Sequence, residues 1–449
     1  MGVGVPPAWL TATLVGALLA LLYWVVSVLK RRTRLSAEGA RKLFHISGGA
    51  VALALPWLFD TVWPVISLGA ASVGAFALLR TIPALRQGTG QTLQGVARET
   101  SGEFWFVVGT VTIFAITAGD VVSYSIGILV LAVADTAAAM VGVFYGRHRF
   151  DLTRGFKSAE GSAAFLLIAF LCVHVPLLLF SEVGRAESLL IALNMSLVLM
   201  LAEAGAGRGS DNFVLPVLVV VLLSAYRDST VVGLLRDLGI IAALSLLVFE
   251  FRKRTTLSTD ALVVAVLAGY IFWLFGDFRW LVAPLVVFAS YTWLTGRPRI
   301  TQFERFHAEV VLALVAPSVI LVTINALAGN GVLYAMHVAA CAANLAIVGA
   351  LHQQLDDPAV TLRQTFVVNI VKSLAVLVPG LAVAERYDLA EFLAALLAVP
   401  IALLLFALLG KPLLQAPTQV AGWRRVSLSV GSALLLAFGL ALALQGRVP

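Results

Sequence analysis

Uncharged apolar segments of membrane-spanning length recur along the whole chain. Residues 8–29, 161–180 and 426–444 each run without Asp, Glu, Lys or Arg, and about 20 such residues in a helix cross the hydrocarbon core of a bilayer. Backbone in lipid must satisfy its own hydrogen bonds, which an α-helix does within one segment. We therefore expect an all-α, polytopic integral membrane protein with about sixteen transmembrane helices.

The composition excludes a soluble domain. Charged residues make up 12% of the chain and hydrophobic residues 60%, whereas a soluble domain carries about 25% charged residues. The first apolar segment lies within 1–35 and is too long for a signal peptide, so we expect it to remain as an anchor. Cys172 and Cys341 fall inside apolar segments and form neither a disulfide framework nor a zinc-binding spacing.

The basic residues are distributed unequally between alternate loops. Of the 31 Lys and Arg residues, 24 fall in one set of loops, six in the other set and the C-terminal tail, and Lys372 within a span. Because basic loops stay cytoplasmic, we expect both termini outside and the basic loops inside, in a multi-pass protein of a bacterial inner membrane. The same bias accounts for the net charge of +7, so we expect no nucleic-acid partner.

A basic run at 251–256 separates two apolar halves of the chain. We predict an N-terminal anchor at 1–35, one membrane domain at 36–250 and a second at 257–449. The dense polar motifs all precede the basic run, so the chemistry is expected in the first domain.

Two polar clusters flank early spans. Arg41, Lys42 and His45 begin the second span, where Arg41 and His45, four residues apart, share a helix face. A basic collar at the membrane interface is the alternative interpretation. The second cluster, 98–103, precedes the fourth span and is also typical of a solvated loop.

The third cluster is the richest. Asp135, Ala139, Gly142 and Gly146 form one stripe of a predicted helix. Asp135 lies about 17 Å from the end of that stripe, below the headgroups, where an ionisable residue indicates function. The small residues leave room for a ligand, although glycines four apart also favour plain helix packing.

The loop after this helix has the chemistry of a phosphate site. Arg147 is followed by Lys157, Ser158, Glu160 and Gly161 at the start of the next helix. A lysine, a hydroxyl and free backbone amides at a helix N-terminus suit phosphate oxygens.

The fourth cluster supplies further carboxylates on the same predicted side. Glu203 precedes Asp211 and Asn212, and Pro216 follows them. Mg²⁺ is commonly held by one or two carboxylates together with substrate phosphates, so Asp135, Glu203 and Asp211 are candidate ligands. A loop capped by Asp211 and Asn212 is the structural alternative.

Taken in order, these motifs resemble the polyprenol kinase family over residues 36–226. The matching elements are Arg41-Lys42-x-x-His45, Asp135 with Gly142 and Gly146, Lys157-Ser158-x-Glu160-Gly161, and Glu203 followed by Asp211-Asn212-x-x-x-Pro216. That family includes dolichol, phytol and farnesol kinases, membrane enzymes that transfer the γ-phosphate of CTP to an isoprenoid alcohol with a divalent metal. The second basic residue usual beside the lysine is absent here, because Phe156 precedes it and Ser158 follows it.

The resemblance implies a CTP-dependent kinase that uses Mg²⁺ and acts on phytol, geranylgeraniol or a polyprenol in the bilayer. Catalytic roles then fall to Asp135, Lys157 and Glu203, with Asp135 either a metal ligand or the base toward the alcohol. Mg²⁺ ligation falls to Asp135, Asp211, Glu203 and Asn212. Phosphate binding falls to Arg41, Lys42, His45, Gly142, Gly146, Arg147, Ser158, Glu160 and Gly161.

Other interpretations stay open. Residues 257–349 faintly resemble phytyl-phosphate kinase-like membrane proteins and suggest a diverged second domain. Phosphatidate cytidylyltransferases share the nucleotide chemistry, although their His-Gly-Gly-x-x-Asp-Arg signature is absent from the sequence. A transporter or lipid flippase also fits about sixteen spans, but its polar site is expected near the midplane. The sequence leaves the alcohol, the choice between CTP and ATP, and the oligomeric state open.

Overall fold

A computed structural model describes most of the chain, and it divides the chain into two compact units. The described residues are 7–83, 101–152, 155–207, 209–255, 257–293, 306–328, 331–357, 359–384, 389–409 and 420–445. The N-unit is Met1–Leu238 and the C-unit is Gly239–Pro449. The boundary between these units lies inside the helix Val231–Glu250, and the domain division at 251–256 stays a prediction.

The described part of the N-unit is helical apart from one short hairpin. Its elements are α1 (Ala8–Arg32), α2 (Ala37–Leu53), α3 (Leu55–Leu58), α4 (Val62–Thr81), α5 (Gly102–Thr117), α6 (Val121–Leu129), a π-helical turn (Val130–Ala134), α7 (Asp135–Tyr145), β1 (Arg149–Leu152), β2 (Gly155–Ser158), α8 (Ala159–Phe180), α9 (Arg185–Gly205), α10 (Asp211–Tyr226) and the first part of α11 (Val231–Glu250).

The described part of the C-unit is helical apart from connecting segments and one isolated bridge between Leu257 and Phe306. After the rest of α11 and a 3₁₀ turn (Phe251–Lys253), its elements are α12 (Thr259–Phe275), α13 (Phe278–Trp293), α14 (Ala308–Ala328), α15 (Gly331–Asp356), α16 (Leu362–Ala382), α17 (Leu389–Leu409) and α18 (Val420–Gln445). Helix α15 lies at the centre of the C-unit, since 94% of its apolar stretch within Val332–Gln354 is buried.

The predicted all-α membrane class is confirmed. Among the described residues, eleven helices are long and apolar enough to cross a membrane by length and composition, and four shorter helices are also apolar. The predicted segments coincide with helices to within a few residues, but the count of sixteen spans and the orientation stay predictions. Arg98 and Glu99 of the second polar cluster lie outside the described residues.

A β-hairpin departs from the all-α prediction. Strands β1 and β2 pair antiparallel, with Arg149 opposite Ser158 and Leu152 opposite Gly155. The hairpin lies between the predicted spans, where water satisfies a strand edge that lipid would not.

The second predicted span, which begins with Arg41, Lys42 and His45, is broken into α2 and α3. Pro56 has no N–H, so the carbonyl of Ala52 loses the donor that would continue the helix. The Tyr124 hydroxyl of α6 donates to that carbonyl at 2.8 Å instead. This bond ties α2 to the helix that leads into the predicted site.

Candidate functional site

A buried ion pair joins α2 to α7. The ammonium of Lys42 lies 2.6 Å from Oδ2 of Asp135, and the two side chains are 6% and 9% exposed. Both residues were predicted site residues, 93 positions apart. Two charges removed from water to this degree are stable only as partners, so each depends on the other.

The π-helical turn sets the direction of Asp135. The backbone N–H of Asp135 donates to the carbonyl of Val130, the wider spacing of a π-helix. The turn also presents the carbonyl of Leu131 to Nε2 of His45 at 2.9 Å. The same ring nitrogen lies 3.5 Å from Oδ2 of Asp135. Single π turns within α-helices are frequent at functional sites.

Glycine at position 49 allows α2 to approach this turn. A Cβ placed on Gly49 would lie 2.4 Å from Cβ of Ala132, a distance that real side chains do not adopt. Lys42, His45 and Gly49 are three and four residues apart, so they form one face of α2. The sequence had placed Arg41 on this face, but Arg41 instead donates two hydrogen bonds to Glu38, at 2.6 and 3.2 Å.

A second ion pair joins β2 to α9. The ammonium of Lys157 lies 2.6 Å from Oε1 of Glu203 and also donates to the Glu203 carbonyl oxygen. Burial lowers the pKa of Lys157, but the charges of Glu203 and Asp211 outweigh that effect and hold its pKa above the ordinary value. Lys157 is therefore a cation with a partly accessible side chain, 18% exposed.

The two ion pairs belong to one electrostatic cluster. The negative charge of the Asp135 carboxylate interacts electrostatically with Lys157 as well as with Lys42. The carboxylates of Asp135 and Asp211 both act on the guanidinium of Arg41. Residues from three of the four predicted clusters thus meet in one region of the N-unit.

Side-chain hydrogen bonds of Ser158 and Glu160 stabilise the first turn of α8. Ser158 is the N-cap, and its hydroxyl accepts the N–H of Gly161 at 3.1 Å. The carboxylate of Glu160 accepts the backbone N–H of His148 at 3.1 Å and lies 2.7 Å from its Nδ1. These bonds hold the hairpin against the helix, while Arg147 is exposed.

The glycine stripe of α7 packs against this N-terminus. A Cβ on Gly146 would lie 2.8 Å from Oγ of Ser158, and one on Gly161 would lie 2.9 Å from the carbonyl oxygen of Ala138. Gly142 lies against Ser158 and Gly161 in the same way. The space that the sequence suggested for a ligand is occupied by α8, so these glycines act here as close-packing residues. Their predicted contact with phosphate stays a prediction.

The start of α10 is fixed by contacts with α5. Asn212 donates its side-chain amide to the carbonyl of Gly102 at 2.8 Å, while Oδ1 of Asp211 accepts the N–H of Asn212 at 3.1 Å. Helix α5 approaches so closely that a Cβ on Gly109 would lie 2.6 Å from the carbonyl oxygen of Asn212. Asn212 is thus engaged in positioning Asp211.

The carboxylates fit a shared metal site and do not fit a metal cage made of protein alone. Among the described residues, no group of three or more His, Cys, Asp or Glu side chains could hold a metal ion. Asp135 and Glu203 each face one lysine, and Asp211 lies in the same electrostatic cluster. Oxygen donors in this small number suit Mg²⁺ that is held jointly with phosphate oxygens.

Sequence reasoning missed three features of the site. Glu38 pairs with Arg41, Gly49 permits the approach of α2, and the carbonyl of Leu131 becomes available through the π-helical turn. Gly49 had a detectable signal, because it falls seven residues after Lys42 on the same helix face. The π turn had none, since Val130–Ala134 is an ordinary apolar sequence.

The fold and the site define a multi-pass helical membrane protein with a buried cluster of paired charges. Within that class, the chain is similar to two proteins named as kinases. It is 29% identical to a phytol kinase of a Synechocystis species over 212 residues, which cover 47% of this chain and 88% of the relative. It is 33% identical to a dolichol kinase of Schizosaccharomyces pombe over 100 residues, which cover 22% of this chain and 19% of that protein. No family model matches the chain, and no solved structure matches it.

Proposed function

We propose that the N-unit is a lipid kinase that transfers the γ-phosphoryl group of CTP to an isoprenoid alcohol in the membrane. The observation that carries the proposal is the pair of Lys–carboxylate contacts, Lys42–Asp135 and Lys157–Glu203, within one electrostatic cluster. Phosphoryl transfer depends mainly on positioning and charge neutralisation, which such a cluster can supply.

The paired charges suit exchange with a metal–nucleotide complex. Without a bound nucleotide, each lysine forms an ion pair with a carboxylate, so the buried charge is balanced. A nucleotide offers phosphate oxygens to the lysines, and Mg²⁺ held by Asp135, Asp211 or Glu203 would neutralise charge on the transferred phosphoryl group. Binding therefore replaces each buried ion pair with another and leaves no charge alone.

The residues divide by location. Lys157, with 18% of its side chain exposed beside the first turn of α8, is placed to bind phosphate oxygens. Asp135 lies within the predicted span, so we assign it to accept a hydrogen bond from the alcohol hydroxyl. Lys42 and His45 hold the Asp135 carboxylate in place at 2.6 and 3.5 Å.

The alcohol and the orientation rest on different observations. The relatives are named for phytol and dolichol, which supports an isoprenoid alcohol as acceptor. The polar loops belong to the basic set, so we place the site at the cytoplasmic face of the membrane. CTP and Mg²⁺ follow from the family resemblance and are the finer part of the proposal.

The proposal is tested by phosphate transfer from γ-labelled CTP, or ATP, to phytol, geranylgeraniol, farnesol and a long polyprenol in purified protein with Mg²⁺. We expect a labelled lipid that disappears in Asp135→Asn. Asp120→Asn is the matched control and should keep full activity. Asp120 lies just before α6, and it pairs at 3.0 Å with Arg227, which lies just after α10.

Two results would overturn the assignment. Full activity of Asp135→Asn would remove Asp135 from the site. Formation of a CDP-lipid from phosphatidic acid, with no phosphorylated alcohol, would assign the protein to the cytidylyltransferases. If neither a phosphorylated alcohol nor a CDP-lipid forms, the transporter interpretation is favoured.

A further inference from the structure

The C-unit contains an apolar cavity that the kinase proposal does not use. Its volume is about 190 Å³, and it is lined by side chains of α11 to α15 and by Trp423 of α18. Leu247, Phe272 and Phe288 are typical of the lining. Among the described residues that line the cavity, none carries a charge.

One polar atom in this lining is buried and has no partner. Asn344 of α15 is 8% exposed, and its Oδ1 has no hydrogen-bond partner among the described residues. Its Nδ2 donates to the carbonyl of Leu314 at 2.7 Å. That bond fixes the amide orientation, because the reversed amide would set two oxygens against each other. Among the described residues, the wall of the cavity therefore contains a buried acceptor that lacks a donor.

The same seam between α14 and α15 carries a weakly engaged hydroxyl. Oγ of Ser318 lies 3.9 Å from Sγ of Cys341, and both residues line the cavity. Ser318 and Asn344 are thus two polar residues in a mostly apolar lining.

We propose that this cavity binds the hydroxyl end of an isoprenoid alcohol, with the hydroxyl donating to Oδ1 of Asn344. The inference rests on the proposed function for the choice of alcohol. An uncharged lining disfavours the phosphorylated product and any fatty acid anion, because neither would find a counter-charge. A neutral alcohol satisfies Asn344 and buries its chain against the apolar walls.

The size of the cavity agrees with this ligand. A dry apolar cavity of about 150 Å³ accepts benzene, so about 190 Å³ accommodates the hydroxyl and the first isoprene units. The C-unit then serves as a second binding site that holds the alcohol in its neutral, unphosphorylated form.

The test uses the full chain in lipid nanodiscs with a geranylgeraniol analogue that carries a photoreactive diazirine. We expect labelled peptides in the C-unit around Phe272 and Phe288, in competition with unlabelled geranylgeraniol. Asn344→Leu should weaken competition by geranylgeraniol about threefold to tenfold, the effect of one hydrogen bond. Competition by its methyl ether, which cannot donate, should change little.

A second variant tests the cavity independently, in case Asn344→Leu fails to fold. A Cβ on Gly269 would meet Leu244 at an ordinary 3.4 Å, so Gly269→Leu directs its side chain into the cavity. It should abolish labelling by the diazirine analogue. Equal loss of alcohol and ether binding in Asn344→Leu, or unchanged labelling in Gly269→Leu, would overturn the inference.

The outcome is separable from that of the kinase proposal. C-unit labelling in the wild type and in Asp135→Asn, with no phosphorylated product from any alcohol, would support the binding site and refute the kinase. A phosphorylated product without C-unit labelling would do the reverse.

Discussion

Removal of Lys42 should destabilise the N-unit strongly, and removal of both Lys42 and Asp135 should not. The two side chains are 6% and 9% exposed and lie 2.6 Å apart. Lys42→Met removes the hydrogen-bonded partner of the buried Asp135 carboxylate and leaves His45 at 3.5 Å, and loss of one partner of such a pair costs about 3–5 kcal/mol. A domain of 150–250 residues loses about 2–4 °C of Tm per kcal/mol. For the N-unit, Met1–Leu238, the expected fall is thus about 6–20 °C.

The double variant Lys42→Met/Asp135→Leu distinguishes the effect of an unpaired buried charge from the effect of losing the whole ion pair. It contains no buried charge at this position, and apolar replacement of a buried pair is often neutral or stabilising. His45 keeps its contact with the carbonyl of Leu131 at 2.9 Å. We therefore expect a Tm close to that of the wild type and a large coupling between the two substitutions.

The assay is thermal unfolding in detergent, followed by the fraction of monodisperse protein after heating. Asp120→Asn is the control, because Asp120 and Arg227 form an exposed pair, with side chains 32% and 69% exposed, that contributes at most about 1 kcal/mol. The reasoning would be refuted if Lys42→Met cost no more than this control, or if the double variant lost the sum of the two single losses.

Two further predictions address the packing and the phosphate contact. Gly49→Ala would place a methyl group 2.4 Å from Cβ of Ala132, so it should cost about 1–3 kcal/mol and reduce the proposed kinase activity. Gly74→Ala lies inside α4 with nothing within 4 Å, so it should lower neither the Tm nor the activity, and equal losses in the two variants would contradict the packing argument. Lys157→Met leaves the Glu203 carboxylate buried without its partner, so it should lower the Tm as Lys42→Met does. In the protein that stays folded, it should raise KM for the nucleotide about tenfold or more, since a charged hydrogen bond is lost, with little change in KM for the alcohol. Lys253→Met on the exposed 3₁₀ turn is its control, and an unchanged nucleotide KM in Lys157→Met would remove Lys157 from the phosphate contact.

The helices and the location of the charged motifs were predictable from the sequence. Uncharged runs such as 8–29 and 161–180 coincide with α1 and α8, because backbone in lipid has few alternatives to a helix. Asp135, Lys157 and Glu203 were identified individually, since ionisable residues next to apolar spans are costly unless they have a role.

The partners within the site were not predictable. The sequence linked Lys157 to phosphate and did not indicate that Glu203 would face it, 46 residues away. It grouped Arg41 with His45 by their spacing, whereas the packing of α2 buries Lys42 and leaves Arg41 with Glu38. Which of two adjacent residues faces inward depends on how the neighbouring helix packs, and that lies outside any local pattern.

The sequence by itself determined that this chain is a helical membrane protein with its charged residues concentrated beside a few spans, because hydrophobic length and the cost of charge in lipid act locally. Tertiary structure alone decided that Lys42 pairs with Asp135 and Lys157 with Glu203. It also decided that Oδ1 of Asn344, in the wall of an apolar cavity, has no hydrogen-bond partner among the described residues. Charge pairing and cavity shape arise from contacts between segments far apart in the chain, where close approach at glycines such as Gly49 sets the geometry.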